Sequence, residues 1–175
     1  MGRIYVLAAC LLALGCAPKT EKVKDQPRDY SFFADSSCYT VDLFDRFEIQ
    51  PASAEVPAEY RGFVGDWGNG AWNGNWCHDL KILSVSPTGE VDLLDMHAPK
   101  ESIGAPATVF RRKAFINNEG ELRFAYGAER HSYRLDGRHL VGKRTGIGGE
   151  WEIAMTRKDV VPVPRQRPER LALGD

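Results

Sequence analysis

The sequence lacks a marked excess of charge of either sign. Its 23 lysines and arginines are balanced by 24 aspartates and glutamates, which gives a formal net charge of −1. A chain-wide basic field, the usual electrostatic basis of nucleic-acid binding, is therefore missing, and we expect no nucleic-acid partner. After its N-terminus the chain also lacks an apolar run long enough to cross a bilayer as a helix.

Serine is scarce in the body of the chain, and no Gly-x-Ser-x-Gly nucleophile elbow is present. A hydrolytic triad needs a nucleophile, a base and an orienting acid in contact with one another, and the sequence indicates no such set. Cys77 and His78 are neighbours in sequence, which does not by itself place a thiolate on an imidazole. We therefore predict a protein that is not an enzyme and requires no cofactor.

Two short motifs carry metal-ligand chemistry, namely His78-Asp79 and Asp95-Met96-His97. They would supply a zinc site if the strands that carry them were paired. Adjacent residues point to opposite faces of a strand, which leaves each motif one inward-facing ligand at most, and we predict no metal site. His131 and His139 flank a predicted turn and are expected at the surface.

The N-terminus resembles the signal of bacterial lipoproteins. Arg3 precedes an apolar stretch over residues 4–14, which is about the length of a signal core. The small residue Gly15 stands before Cys16, as in a lipobox. The resemblance implies that residues 1–15 are removed and that Cys16 carries the lipid; an ordinary secretory signal cut nearby is the alternative.

The residues after Cys16 indicate in which membrane a lipoprotein of this kind is anchored. Ala17 and Pro18 follow, with no aspartate to act as an inner-membrane retention signal. The resemblance to Gram-negative lipoproteins therefore implies an outer-membrane anchor that faces the periplasm. Residues 16–36 are expected to form a flexible polar tether, and residues 159–175, which contain prolines and arginines, a disordered tail.

Only four cysteines are present. If Cys10 leaves with the signal and Cys16 is lipidated, Cys38 and Cys77 remain. An even pair in an oxidising compartment predicts one disulfide, with two free thiols as the alternative. This bridge would fasten an arm over residues 37–60 to the tryptophan-rich segment that follows it.

The body of the chain, residues 61–158, consists of short strand-like runs separated by turn residues such as Pro87-Thr88-Gly89 and Asp136-Gly137. No stretch has a convincing helical period. These features predict an all-β fold, an antiparallel up-and-down barrel of about eight short strands, with a small sandwich as the alternative. The predicted strands cover residues 61–67, 76–85, 90–96, 108–116, 121–126, 130–135, 139–145 and 150–157.

The first predicted strand contains Gly65-Asp66-Trp67, which resembles the Gly-x-Trp signature of the calycins, the lipocalin and avidin-like barrels. Those barrels often carry an arginine near the end of the last strand, packed over that tryptophan, and Arg157 lies in the matching place. The resemblance implies that Trp67 and Arg157 close one end of the barrel. The wider pattern over residues 63–80 also resembles uncharacterised bacterial exported modules, and this resemblance implies no particular activity.

Three of the four tryptophans lie among glycines and asparagines in residues 65–80. Exposed Trp72 and Trp76 would stack on sugar rings, and Asn73 and Asn75 would hydrogen-bond to hydroxyls. The alternative is that Trp76 belongs to the barrel core and that Trp72 caps its end.

These observations together favour a non-catalytic binding module in the cell envelope. Its ligand would be a small apolar molecule, a lipid or a glycan at the end of the barrel. The alternative is a protein-interaction or inhibitor module that acts on a periplasmic protease or lysozyme, for which residues 96–106 form the candidate contact segment.

A local basic cluster occupies residues 110–113. Strand alternation predicts that Arg111 and Lys113 point to one face of the strand and Arg112 to the other.

Overall fold

The computed structural model describes residues 29–30, 38 and 47–158. The predicted signal, the tail, most of the predicted tether, and residues 37 and 39–46 of the arm lie outside the described residues. Within the described part, no helix has the length and apolar character needed to cross a membrane.

Eight antiparallel strands close into a barrel in which each strand pairs with its neighbours in sequence and β8 pairs with β1. The predicted all-β up-and-down barrel is confirmed. The predicted bounds of β2 and β4 match the structure residue for residue, and those of β3 and β5 to β8 agree within one residue at each end. The strands are β1 (Gly65–Trp72), β2 (Trp76–Val85), β3 (Glu90–His97), β4 (Thr108–Ile116), β5 (Leu122–Tyr126), β6 (Glu129–Asp136), β7 (His139–Gly146) and β8 (Gly149–Arg157).

Strand β1 differs from its prediction because it starts later and extends further. A short helix, α1 (Ala58–Arg61), occupies the chain just before it. The strand then continues through its glycines by means of a bulge at Asn69, where φ is 56° and the register with β2 shifts. The turn to β2 uses Asn73 and Gly74, both at positive φ. Asn-Gly is a strong hairpin signal, and the strand therefore reaches to this turn.

One half of the barrel interior is apolar. Residues at every second strand position face inward, as the strand period requires. Their side chains are at most 2% exposed, which means that they fill this half rather than line an open cup. The set comprises Trp67, Leu80, Ile82, Val91, Leu93, Ile116, Leu122, Leu140, Ile153 and Met155.

The apolar half is closed at the end where α1 lies. Trp67 Nε1 donates a hydrogen bond to Phe63 O at 2.8 Å. The Arg157 guanidinium lies 4.6 Å from the centre of the Trp67 ring and donates to Gly62 O at 2.7 Å. A cation over an indole contributes about 0.5–2 kcal/mol, depending on its desolvation. The two residues that the calycin resemblance pairs are thus in contact across the β1–β8 seam.

The described part of the arm packs on the outside of the barrel. Cys38 and Cys77 form the predicted disulfide, which is confirmed. Gln50 N donates to Leu83 O at 2.7 Å, so the arm runs along β2. Phe47 covers a second, outward-facing apolar cluster of Leu83, Leu94 and Met96. This cover explains why β3 is buried on both faces.

Candidate functional site

The interior changes character in the half of the barrel away from α1. The same inward-facing alternation that supplies aliphatic side chains near α1 supplies aromatic and ionisable ones here, at the end formed by the turns after β1, β3, β5 and β7. We call these side chains the inner polar cluster. Its members are Trp72, Trp76, His78, Asp95, His97, Arg112, Phe124, His131, Tyr133, Arg144 and Trp151.

The cluster opens to solvent through a cleft of about 210 Å³, which we call the mouth cleft. Its polar wall is formed by Asp95, His97, Thr108, Arg112, Glu129, His131 and Arg144. Aromatic side chains form much of the remaining wall, namely those of Trp76, Phe110 and Tyr126. The cleft therefore combines apolar surface with a few converging polar groups, which is typical of small-molecule sites.

Paired strands bring the two predicted metal-ligand motifs together. His78 on β2 is the register partner of His97 on β3, and Asp95 lies two residues before His97. Asp95 Oδ1 is 3.2 Å from His97 Nε2 and 3.6 Å from His78 Nε2. The argument that each motif offers only one inward-facing ligand is wrong for Asp95-Met96-His97, because residues two apart on a strand share a face.

Asp95 is 1% exposed and remains charged inside the barrel. Arg112 Nε donates to its Oδ2 at 2.8 Å. Burial opposes the carboxylate charge, but His97, His78 and Arg112 beside it hold the pKa of Asp95 well below its usual range.

The alternation predicted for residues 110–113 is confirmed. Arg112 faces Asp95 inside the barrel, whereas Arg111 and Lys113 contact Asp92 on the outer face.

Two further buried rings of the inner polar cluster, His78 and Tyr133, contact each other. Their Nε2 and hydroxyl oxygen atoms are 3.2 Å apart. Burial, followed by the neighbouring His97, lowers the pKa of His78 well below its ordinary value, and the imidazole is neutral near pH 7. Burial likewise raises the pKa of Tyr133 well above its ordinary value and keeps the phenol protonated.

The prediction that His131 lies at the surface is wrong. His131 is 4% exposed, and its ring stacks on Phe124 with 4.6 Å between the centroids. Tyr133 is two residues further along β6, so both side chains face inward. Burial is the largest cause of its lowered pKa. His139, at the opposite end of the barrel, is half-buried beside Tyr30.

Arg144 is a buried charged residue of the inner polar cluster that sequence reasoning missed. It is 5% exposed, and its guanidinium lies 4.4 Å from the Trp151 ring centre and 5.2 Å from those of Trp72 and Trp76. Its NH1 is 4.0 Å from Glu129 Oε2, the carboxylate oxygen that contacts it among the described residues. The signal was present in the sequence, because Arg144 shares the inward face of β7 with Leu140.

The four residues predicted to bind a ligand have different roles in the structure. Trp72 is fully buried, so the expectation that it stacks on a sugar from an exposed loop is wrong. Asn73 Oδ1 accepts a hydrogen bond from Glu152 N and fixes the turn to β8. Asn75 Oδ1 accepts one from Lys100 Nζ. Trp76 is half-buried, donates to Ala98 O and lines the mouth cleft.

The segment predicted to contact a protein partner forms the loop between β3 and β4. Its first residues, Met96 and His97, belong to β3. A short 3-10 helix, Glu101–Ile103, follows and leaves Ile103 65% exposed. An inhibitor role for this loop stays a prediction.

Five buried polar atoms of the inner polar cluster have no hydrogen-bond partner among the described residues. Most buried polar groups in proteins are paired with protein or with ordered water. The cluster therefore requires water or a ligand to complete it. The atoms are Trp72 Nε1, His78 Nδ1, Asp95 Oδ1, His97 Nδ1 and Arg144 Nε.

No known family model, no characterised protein and no solved structure matches this chain. The function is therefore argued from the chemistry of the inner polar cluster.

Proposed function

We propose that this protein is a lipid-anchored binding module of the cell envelope that holds a small organic anion in the mouth cleft without transforming it. The observation that carries the proposal is Arg144. Its guanidinium is buried among three tryptophans, and its Nε has no hydrogen-bond partner among the described residues.

A buried guanidinium needs acceptors because it presents five N–H donors and stays charged at physiological pH. Leaving such a charge unpaired away from water costs several kcal/mol. Glu129 Oε2 forms an ion pair with NH1 at 4.0 Å, which offsets part of the charge but is beyond the distance of a normal hydrogen bond. Arg112 also lines the cleft, but Asp95 already accepts from it. Arg144 is thus the arginine that an incoming carboxylate would pair with, in a charge-assisted contact.

The dimensions of the cleft restrict the ligand. A volume of 210 Å³ corresponds to about seven water molecules at the liquid share of about 30 Å³ each. Drug-sized ligands usually occupy about 300–1,000 Å³. The filled apolar half gives no room for a long acyl chain, and the aromatic wall suits a compact apolar body. These features support a small aromatic or aliphatic carboxylate over a lipid or an oligosaccharide.

Replacing Arg144 with glutamine is expected to weaken the binding of a carboxylate at least about tenfold. A hydrogen bond to a charged group contributes about 1.5–3 kcal/mol, and tenfold corresponds to about 1.4 kcal/mol. Acetate, benzoate and indole acetate would each be titrated by calorimetry against the corresponding amide. Quenching of tryptophan fluorescence provides a second readout, since three indoles contact this guanidinium.

Arg130→Gln is the matched control, because Arg130 is exposed on the neighbouring strand β6. It should leave carboxylate affinity unchanged. Equal binding of carboxylates and their amides, or equal affinities of Arg144→Gln and the wild-type protein, would refute anion recognition by Arg144. Near-UV circular dichroism of each variant checks that the barrel remains folded.

The anchor assignment rests on the lipobox resemblance and has its own test. Cys16→Ser should abolish incorporation of labelled palmitate in a Gram-negative host, because the modified sulfur is gone. Cys10→Ser should be labelled like the wild-type protein. Labelling that survives the loss of Cys16 would contradict the assignment.

A further inference from the structure

The second feature of the inner polar cluster that calls for a ligand is the group formed by His78, Asp95 and His97. Each of the three side chains offers one ligand atom, and these atoms lie within 4.8 Å of one another. The residues are 1%, 1% and 8% exposed. They come from β2 and β3, two long strands paired over most of their length, so a rigid backbone fixes their relative positions.

Two of the three distances within the group match those between ligands of a metal centre. Zinc binds histidine nitrogen and carboxylate oxygen at about 2.0–2.2 Å, which places two ligands of a tetrahedral ion about 3.4 Å apart. Asp95 Oδ1 lies 3.2 Å from His97 Nε2 and 3.6 Å from His78 Nε2. These two separations bracket the tetrahedral value.

The carboxylate oxygen Asp95 Oδ1 is close to both imidazoles without accepting a well-aligned hydrogen bond from either. Asp95 Oδ1 has no hydrogen bond of normal geometry to any described residue, even though two imidazole nitrogens are its close neighbours. A cation between the three atoms would satisfy the carboxylate oxygen and both Nε2 lone pairs at once. The other carboxylate oxygen, Oδ2, accepts from Arg112 Nε, which orients the ligand from outside the coordination shell.

An ion at this position also has an entry path and a further donor. Asp95 and His97 line the mouth cleft, so solvent reaches the group from the open end. The Tyr133 hydroxyl is 3.2 Å from His78 Nε2 and is placed to hydrogen-bond a water in the fourth position or to take that position itself. Two imidazoles with one carboxylate and an open position are typical of zinc and related divalent transition metals.

From this geometry we infer that the barrel binds one Zn²⁺, or a divalent metal of the same class, through His78 Nε2, His97 Nε2 and Asp95 Oδ1. The metal site goes beyond the proposed anion site, because it uses different side chains and needs no carboxylate ligand. The mouth cleft serves both, and an ion held by this group would lie at its inner wall.

The test is calorimetric titration of Zn²⁺ into the full-length protein, free of any histidine tag, stripped of metal and kept without carboxylate ligands. We expect one Zn²⁺ per chain. His97→Gln and Asp95→Asn should each weaken binding about 100-fold or more, since losing a residue that merely orients a ligand costs about 10–100-fold. The matched control His139→Gln, at the opposite end of the barrel, should bind as the wild type does.

Two further measurements keep the outcome decisive. Co²⁺ added to the wild-type protein should give the intense visible absorption of a tetrahedral ion, and one equivalent of Zn²⁺ should remove it, whether or not the ligand variants fold. A weak octahedral spectrum, no stoichiometric Zn²⁺ binding, or wild-type affinity in His97→Gln would overturn the proposal. The Zn²⁺ titration contains no carboxylate ligand and the carboxylate titration is made on metal-free protein, so failure of the anion proposal is distinguishable from failure of this one.

Discussion

Replacing Asp95 with alanine is expected to lower the free energy of unfolding by about 3–5 kcal/mol, the range for breaking one side of a buried ion pair. The carboxylate is 1% exposed and accepts from Arg112 Nε at 2.8 Å. Its removal leaves the Arg112 guanidinium, whose side chain is 14% exposed at the mouth cleft, without its carboxylate acceptor, and that uncompensated charge contributes to the loss. Urea denaturation with a chelator present measures the change without any contribution from bound metal.

Asp92→Ala provides the matched control, since Asp92 lies on the outward face of the same strand. Its partners Arg111 and Lys113 have side chains that are 59% and 82% exposed. Exposed ion pairs contribute little, so this variant should lose far less stability than Asp95→Ala. Removing both charges in Asp95→Leu/Arg112→Met should recover part of the loss. Equal effects of the two alanine variants would contradict the buried-pair explanation.

Removing the disulfide in the Cys38→Ser/Cys77→Ser variant is expected to lower the free energy of unfolding by about 4 kcal/mol. The bridge spans 39 residues, and the chain-entropy model gives this value for a loop of that length. The crosslink restricts the unfolded chain, and in the folded protein it ties Cys38 to β2. Denaturation of the variant and the wild-type protein under oxidising conditions measures the difference.

Reductant supplies the control for this prediction. Full reduction should bring the wild-type midpoint close to that of the double variant, whereas the variant itself should not respond. If the wild-type midpoint is the same with the bridge intact and reduced, the disulfide contributes no stability and the prediction is wrong.

The two halves of the barrel differ in the chemistry of the side chains that fill them. The half beside α1 is filled with aliphatic side chains and Trp67, and the Arg157–Trp67 contact closes its end. The opposite half holds charged and aromatic groups on the same rigid strands. Side chains on strands are held more precisely than those on loops, which suits the proposed anion and metal sites at Arg144, Asp95 and two histidines.

Most strand positions were predictable because local chemistry fixes them. The period of two in residues such as Leu122, Phe124 and Tyr126 marks a half-buried strand, and turn residues mark its ends. Strand β1 was mispredicted because its glycines and asparagines were taken as a loop. The bulge at Asn69 lets the strand pass through them, and a bulge depends on the partner strand as well as on local sequence.

The candidate site was much less predictable than the fold. The prediction that the tryptophan-rich segment exposes Trp72 to a sugar was wrong, since Trp72 is buried under Arg144. Asp95 and His97 could have been assigned to one face by their spacing alone. Arg144 and His131 were not recognised as partners, because His131 was assigned to the surface, although the hairpin between β6 and β7 makes the two residues register partners.

The sequence by itself predicted seven of the eight strands to within one residue at each end, most of the turns, the barrel class and, once Cys10 and Cys16 are assigned to the signal, the pairing of Cys38 with Cys77. These depend on alternation, turn residues and cysteine number, which are local or countable properties. Only the tertiary structure decided which inward-facing residues meet at the open end. Closure brings β1 against β8, and strands far apart in sequence then contribute to one buried volume. Ionisable groups there acquire partners, burial and shifted pKa values that no stretch of the chain carries alone.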